Sequence, residues 1–234
     1  MWTRADLKAR GKLCFQQNYA ACVLAALVIT IATASVSGGY DVSGTVNGVI
    51  NDKSYSAGFS LPLVGGVALF FLILKLFVLN VLQVGGVRFF IENRDYKAPA
   101  SKIAFGFQNG NFVNVALVMF MQNLFIFLWS LLFIIPGIIK AYSYRMTPYI
   151  LAEQPDIDYR DAIRISREMM DGEKMNAFVL DVSFILWYLL STVTCGLAGV
   201  FYVKPYVEAT NAELYVTFRD KWSAGNQKTE YFNF

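Results

Sequence analysis

Apolar residues gather in four long runs, at positions 19–36, 61–87, 113–135 and 177–203. Each is long enough to cross a hydrocarbon core of about 30 Å at about 1.5 Å per residue, so the runs predict membrane-crossing helices. Two further stretches, 138–152 and 204–218, are only moderately apolar and carry Lys140, Arg145, Lys204, Glu208 and Glu213.

Charge placement decides what these two stretches do. With four crossings, the segment after the third would leave Arg160, Arg164, Arg167 and Lys174 outside, against the tendency of basic residues to stay in the cytoplasm. Tight turns at Pro136-Gly137 and Cys195-Gly196 remove the conflict, because 138–152 and 197–218 then return the chain. The basic clusters at Arg4 to Lys12, Arg88 to Lys102, Arg160 to Lys174 and Arg219 to Lys228 all become cytoplasmic, and the outer loop 38–61 keeps only Lys53. The expectation is an all-α integral membrane protein of the cell membrane, multi-pass, with six transmembrane helices and both termini cytoplasmic. As a helix, 138–152 reaches only about 22 Å, so a broken or tilted segment is expected there. The first run exceeds the usual apolar core of a cleaved leader and reads as a retained anchor. The loop 38–61, dense in Gly, Ser and Asn, reads as a turn-rich connector.

Helical periodicity adds surface helices. In 3–15, Leu7, Gly11, Cys14 and Phe15 share a face opposed by Arg4, Lys8 and Lys12, and Thr3 with Asp6 forms a capping pair. In 158–171, Ala162, Ile163, Ser166, Met169 and Met170 fall together. Such helices lie on the inner leaflet or pack beneath the bundle.

The chain also repeats. Leu128-Trp129-Ser130-Leu131-Leu132, Pro136-Gly137 and Pro148-Tyr149-Ile150 return as Leu186-Trp187-Tyr188-Leu189-Leu190, Cys195-Gly196 and Pro205-Tyr206-Val207. The connectors Asn109-Gly110-Asn111-Phe112 and Asp171-Gly172-Glu173-Lys174 precede the two copies, as Gln17-Asn18-Tyr19 precedes the first run. Residues 1–234 therefore read as one membrane domain of three hairpin units, about 1–92, 93–154 and 155–222, each with an amphipathic cytoplasmic-side helix ahead of it. A short polar tail, 223–234, follows.

Composition narrows the chemistry. Only 16% of residues are charged, and the net charge of +3 is too mild for a nucleic-acid partner. Histidine is absent, and Cys14, Cys22 and Cys195 have no metal-ligand spacing, so no metal and no cofactor is expected. The candidate polar site consists of Lys75, Arg145, Asp181 and Glu208, ionisable residues inside predicted crossings. Counted from the outer turns, Lys75, Asp181 and Glu208 lie at about 18–22 Å and Arg145 at about 12–13 Å. This matches Lys75 with Glu208 first and Asp181 second. The pairs serve either a polar path or helix register, and register is preferred. Asn80, Gln83, Gln122 and Asn123 read as interhelical hydrogen-bonders. The Cys22, Ala26, Thr30, Ala34 stripe and the pairs Gly65-Gly66 and Gly85-Gly86 read as close-packing faces.

These residues resemble a bacterial membrane family catalogued as domain of unknown function 975. The likeness is densest from Leu128 through Pro136-Gly137 to Lys140-Ala141-Tyr142-Ser143-Tyr144, in Asp181-Val182-Ser183-Phe184-Ile185-Leu186-Trp187, and in Pro205-Tyr206-Val207-Glu208-Ala209-Thr210. Leu7, Lys8 and Asn18-Tyr19 resemble the family's opening, and Gly172-Glu173-Lys174 stands where it has Gly-Asn-Lys. More distantly, the hairpins are similar to the membrane domain of some glycerophosphodiester phosphodiesterases. The resemblance implies a multi-span bacterial membrane protein and supplies no activity.

Without nucleophile–base motifs, the chain is expected to be no enzyme but a non-catalytic partner in secretion, lipid handling or envelope assembly. Transport, or handling of a lipid or other hydrophobic ligand, is the alternative, and an intramembrane enzyme a distant third. The expected partners are membrane lipids and another membrane or secreted protein, with the oligomeric state open.

Overall fold

A computed structural model describes residues 2–33, 46–50, 53–57, 75–108, 110–194 and 196–226. Helix α1 (Arg4–Gln17) starts where the sequence signals it: the Thr3 hydroxyl accepts the Asp6 N–H at 3.2 Å and donates to the Asp6 carboxylate at 2.5 Å. Leu7, Gly11 and Phe15 form its buried face. At Asn18 the chain bends by 110° into α2 (Tyr19–Thr33). A clasp of two asparagines holds the bend. Asn18 donates to Asn93 Oδ1 at 2.7 Å and to the Ala98 carbonyl at 2.9 Å, and Asn93 donates to the Cys14 carbonyl at 3.1 Å.

Within the expected loop, β1 (Val46–Ile50) pairs antiparallel with β2 (Lys53–Ala57), in register from Val46 opposite Ala57 to Ile50 opposite Lys53. The rest of that loop, and the start of the predicted crossing 61–87, lie outside the described residues.

From Lys75 the chain makes one π-helical turn, Lys75–Leu79, and continues as α3 (Asn80–Glu92). Gly85 and Gly86 are the close-approach points predicted for them. A Cβ at Gly85 would overlap the Ile103 carbonyl of the 3₁₀ segment Ala100–Phe107, and one at Gly86 would strike Ile29 of α2. No larger residue fits between these neighbours.

Helix α4 (Phe112–Leu132) runs to an extended residue, Phe133, and α5 (Ile134–Ser143) packs back on it, with Gly137 against Ser130 and Lys140 Nζ 4.6 Å from the Trp129 ring centre. The predicted crossing 138–152 is indeed broken. Helix α5 ends at Ser143, and α6 (Thr147–Glu153) restarts with Pro148 in its first turn, where a missing N–H costs nothing. The break is bridged from α7 (Tyr159–Met169), whose buried Ser166 hydroxyl donates to the Ser143 carbonyl at 2.9 Å and accepts the Met146 N–H at 3.1 Å. All five residues expected on the inner face of α7 and its end are buried.

The last unit comprises α8 (Lys174–Val182), α9 (Ile185–Val193), a π-helical turn Gly199–Val203, and α10 (Lys204–Asn226). The repeated connectors share a conformation, with φ of +73° at Gly110 and +72° at Gly172, which only glycine adopts at little cost. Helix α10 lies at the centre. On one side α1 runs antiparallel to it, with Trp2 stacked edge-on to Phe218, Gly11 tight against Thr210 and Phe15 edge-on to Tyr202. On the other, Glu173 meets Lys221, Phe184 meets Tyr206, and Ser191 abuts Gly199.

Among the described residues, Phe112–Leu132 and Lys174–Val193 are long and apolar enough to cross a membrane, and the bent pair α1–α2 makes a third if it acts as one crossing. The ends of α4 and α9 carry broad apolar surface: Leu131, Ile134 and Val193 are 76%, 77% and 81% exposed. Contiguous exposure on this scale marks contact with lipid or with another protein.

One neighbour relation departs from the expected set of hairpins with turns on a common outer face. Helix α5 lies beside α8 in the same direction: Ile138 and Ile139 share a hollow with Lys174 and Met175, Tyr142 packs edge-on to Phe178, and Arg145 reaches Asp181. The turn at 133–137 therefore lies toward the Lys174 end of the α8–α9 rod, and the turn at Gly196 lies at the other.

Candidate functional site

Three of the four predicted polar residues converge at the α5–α6 joint. Arg145 Nη1 is 2.7 Å from Asp181 Oδ2, and Nη2 is 2.9 Å from Oδ1. Nη2 also donates to Asn211 Oδ1 at 2.9 Å, and the Tyr142 hydroxyl donates to Asp181 Oδ2 at 2.8 Å. The fork geometry, the Asn211 acceptor on Arg145 and the Tyr142 donor on Asp181 satisfy both ions, which is what makes a partly buried pair tolerable. Glu208, one turn before Asn211 on α10, is half-buried and lies within electrostatic reach of Arg145, Lys204 and Asp181. It makes no hydrogen bond or ion pair among the described residues.

The Lys75 side chain lies outside the described residues, and so does its pairing with Glu208 or Asp181. Asp181 is already held by Arg145, which the depth count places nearer the outer face. Counting from the turn assumes a continuous helix, and the break after Ser143 invalidates it.

A second set of ion pairs joins the chain termini to the connecting segments. Glu213 lies 3.1 Å from both Arg10 and Arg94. Glu153 accepts from Arg219 at 2.7 Å and from the Tyr215 hydroxyl at 2.6 Å. Glu173 accepts from Lys221 at 2.6 Å, Asn176 at 2.9 Å and Trp2 Nε1 at 3.3 Å. Glu92 is held by Arg88 at 2.5 Å, Lys102 at 3.0 Å and the Tyr96 hydroxyl. Burial pushes the Glu153 carboxyl above its ordinary range, outweighing Tyr215 and Arg219. Burial acts likewise on Glu92, but the bonds from Tyr96, Lys102 and Arg88 outweigh it and hold the carboxyl low. In the sequence the basic partners stand out by their clustering and Glu92, Glu153 and Glu173 do not, although the Arg88/Glu92 spacing of four is a visible signal.

These bonds carry a topological consequence. Trp2, residues 88–102, residues 153–173 and residues 213–222 touch one another, so they share one side of any bilayer. The four-crossing alternative, which separates 153–174 from both termini, is incompatible with the Glu173–Lys221 and Glu153–Arg219 pairs.

Two hollows adjoin these pairs. One, of about 760 Å³, is lined by Trp2, Thr3, Arg4, Glu173, Asn176, Val179, Thr217 and Lys221. The other, about 240 Å³ and almost wholly apolar, lies between α5 and α8. Among the described residues no group of three or more His, Cys, Asp or Glu is placed to hold a metal. Burial, with Glu213 beside it, pushes the Cys14 thiol up to about 11, which leaves no thiolate nucleophile there at neutral pH.

No curated protein and no solved structure matches the chain. The more distant similarity to glycerophosphodiester phosphodiesterase membrane domains is not shown by any match. Residues 132–221, which hold Arg145, Asp181 and Glu208 together with both partners of the Glu153–Arg219 and Glu173–Lys221 pairs, match the family model described as protein of unknown function (DUF975), so over this region the chain is similar to that uncharacterised family.

Proposed function

We propose that the chain is a multi-pass protein of the bacterial cell membrane, with both termini in the cytoplasm, that acts as a non-catalytic partner of another membrane or secreted protein. One observation carries this reading. The carboxylates of Glu153, Glu173, Asp181 and Glu213 are taken up by cations that tie one segment to another, so their geometry serves assembly rather than proton transfer. Six crossings in three units is its finer form. The shared side of the connecting segments requires only that each unit crosses an even number of times, which six crossings satisfy. The divergent turns at 133–137 and Gly196 imply that at least one unit lies well off the membrane normal. Purification from native membranes in mild detergent tests the role: a protein recovered in fixed proportion is the expected outcome, and recovery of lipid alone counts against it.

Glu208 favours a second reading, transport or handling of a hydrophobic ligand. A carboxylate that has no ion pair among the described residues, beside Arg145 and Asp181, is where a polar path would pass. Loss of solute flux in proteoliposomes on Glu208→Gln, with unchanged folding, would establish it.

A further inference from the structure

Beside the tip formed by α4 and α5 lie three cations, Lys140, Arg167 and Lys174. Lys140 is close enough to Arg167 and Lys174 for their charges to act on it. Among the described residues none of the three forms an ion pair, although Glu92, Glu153, Glu173 and Glu213 each hold at least one cation. Lys140 is covered on one side by the Trp129 ring. The neighbouring acids are engaged elsewhere. Glu173, next to Lys174 in sequence, accepts from Lys221, Asn176 and Trp2, and Glu168, next to Arg167, accepts from Arg164 and Trp222. Asp171 is exposed and pairs with none of the three. Mutual repulsion of three unpaired cations disfavours this grouping unless an anion joins it. Directly alongside, Ile138, Ile139, Met175 and Phe178 wall the apolar hollow of about 240 Å³, and Ile138 and Phe178 are 52% and 46% exposed. A negative head next to an open apolar channel describes one class of ligand.

We propose that Lys140, Arg167 and Lys174 bind the phosphate of an anionic phospholipid, with the start of an acyl chain in the hollow between α5 and α8. The cluster lies on the side shared with the termini, the side on which anionic lipid attracts basic residues if that side is cytoplasmic. The inference rests on the membrane reading but not on the partner role.

The test is a titration of the purified full-length chain in detergent with dioleoyl phosphatidylglycerol, dioleoyl phosphatidylcholine or glycerol 3-phosphate, bound lipid being counted by native mass spectrometry. The expected result is a preference for phosphatidylglycerol of about tenfold or more, given the usual contribution of a basic residue near an anionic surface. Lys140→Gln with Arg167→Gln and Lys174→Gln should bring that preference to within about twofold. Arg4→Gln with Lys12→Gln and Lys97→Gln, the same change in net charge elsewhere, should leave it intact. Equal losses in both variants, or no preference in the unaltered chain, overturn the proposal. Full competition by glycerol 3-phosphate overturns the lipid assignment in favour of a free-phosphate site. Alkaline carbonate extraction separates the two premises: release of the chain from native membranes defeats the membrane reading, whereas retention without lipid preference defeats only the site.

Discussion

Arg145 and Asp181, 36 residues apart, meet through two parallel hydrogen bonds of 2.7 and 2.9 Å that join the α5–α6 joint to the end of α8. Asp181→Asn strands the guanidinium, and Arg145→Gln strands the carboxylate. Each is expected to cost about 2–3 kcal/mol, below the full penalty for a deeply buried pair because Asp181 is partly exposed. Combining the two should recover at least half of the loss in a thermal melt. Additive losses would show that the residues act independently.

The shared side of the connecting segments makes a labelling prediction. In a chain carrying Cys14→Ala, Cys22→Ala and Cys195→Ala, Arg164→Cys and Lys221→Cys should both resist a membrane-impermeant maleimide on intact cells and react after permeabilisation. Opposite behaviour at the two positions contradicts the Glu173–Lys221 pair.

Ser166 is buried and serves two backbone groups at the break after Ser143. Ser166→Ala leaves the Met146 N–H without its partner, at a cost of about 1–3 kcal/mol. Hydrogen exchange should accelerate locally at residues 144–147. Uniform acceleration over the whole chain would point to global destabilisation instead.

Glu92 supplies the pH prediction. Its carboxyl is held below the ordinary 4.5 in the folded chain, so its contribution is present above that value and lost as pH falls through the lowered one. Glu92→Gln should therefore be less stable than the unaltered chain at pH 7, with the gap closing in acid. Glu153 works in the opposite sense: its carboxyl is raised, so its ionised form disfavours folding as pH rises above 4.5. A gap for Glu92→Gln that stays constant down to pH 3 would show that Arg88, Lys102 and Tyr96 do not stabilise its charge.

The locally encoded features were readable from the residues. The Thr3–Asp6 cap, the buried face of α7 and the glycine connectors each depend on a few neighbouring positions, and each is found. Pro148 sits in the first turn of α6, whereas its counterpart Pro205 follows closely on the π-helical turn that leads into α10. Long-range pairing was not readable. Arg145 meets Asp181 only because α5 stops at Ser143 and lies alongside α8, and neither hydropathy nor depth along a helix encodes that direction. The β1–β2 pair was not readable for another reason: the Gly, Ser and Asn content of the stretch signals turns rather than strands.

The central place of α10 has a consequence for biosynthesis. This helix is made after every other described element, yet α1 and the carboxylates of Glu153 and Glu173 depend on its residues for burial or charge. Until Arg219 and Lys221 emerge, the earlier segments hold acids without their cations and an apolar α1 face without its cover. The nascent chain therefore completes this packing only once α10 has emerged. A stop codon shortly before residue 219 keeps most of α10 and its apolar contacts but leaves Glu153 and Glu173 without Arg219 and Lys221.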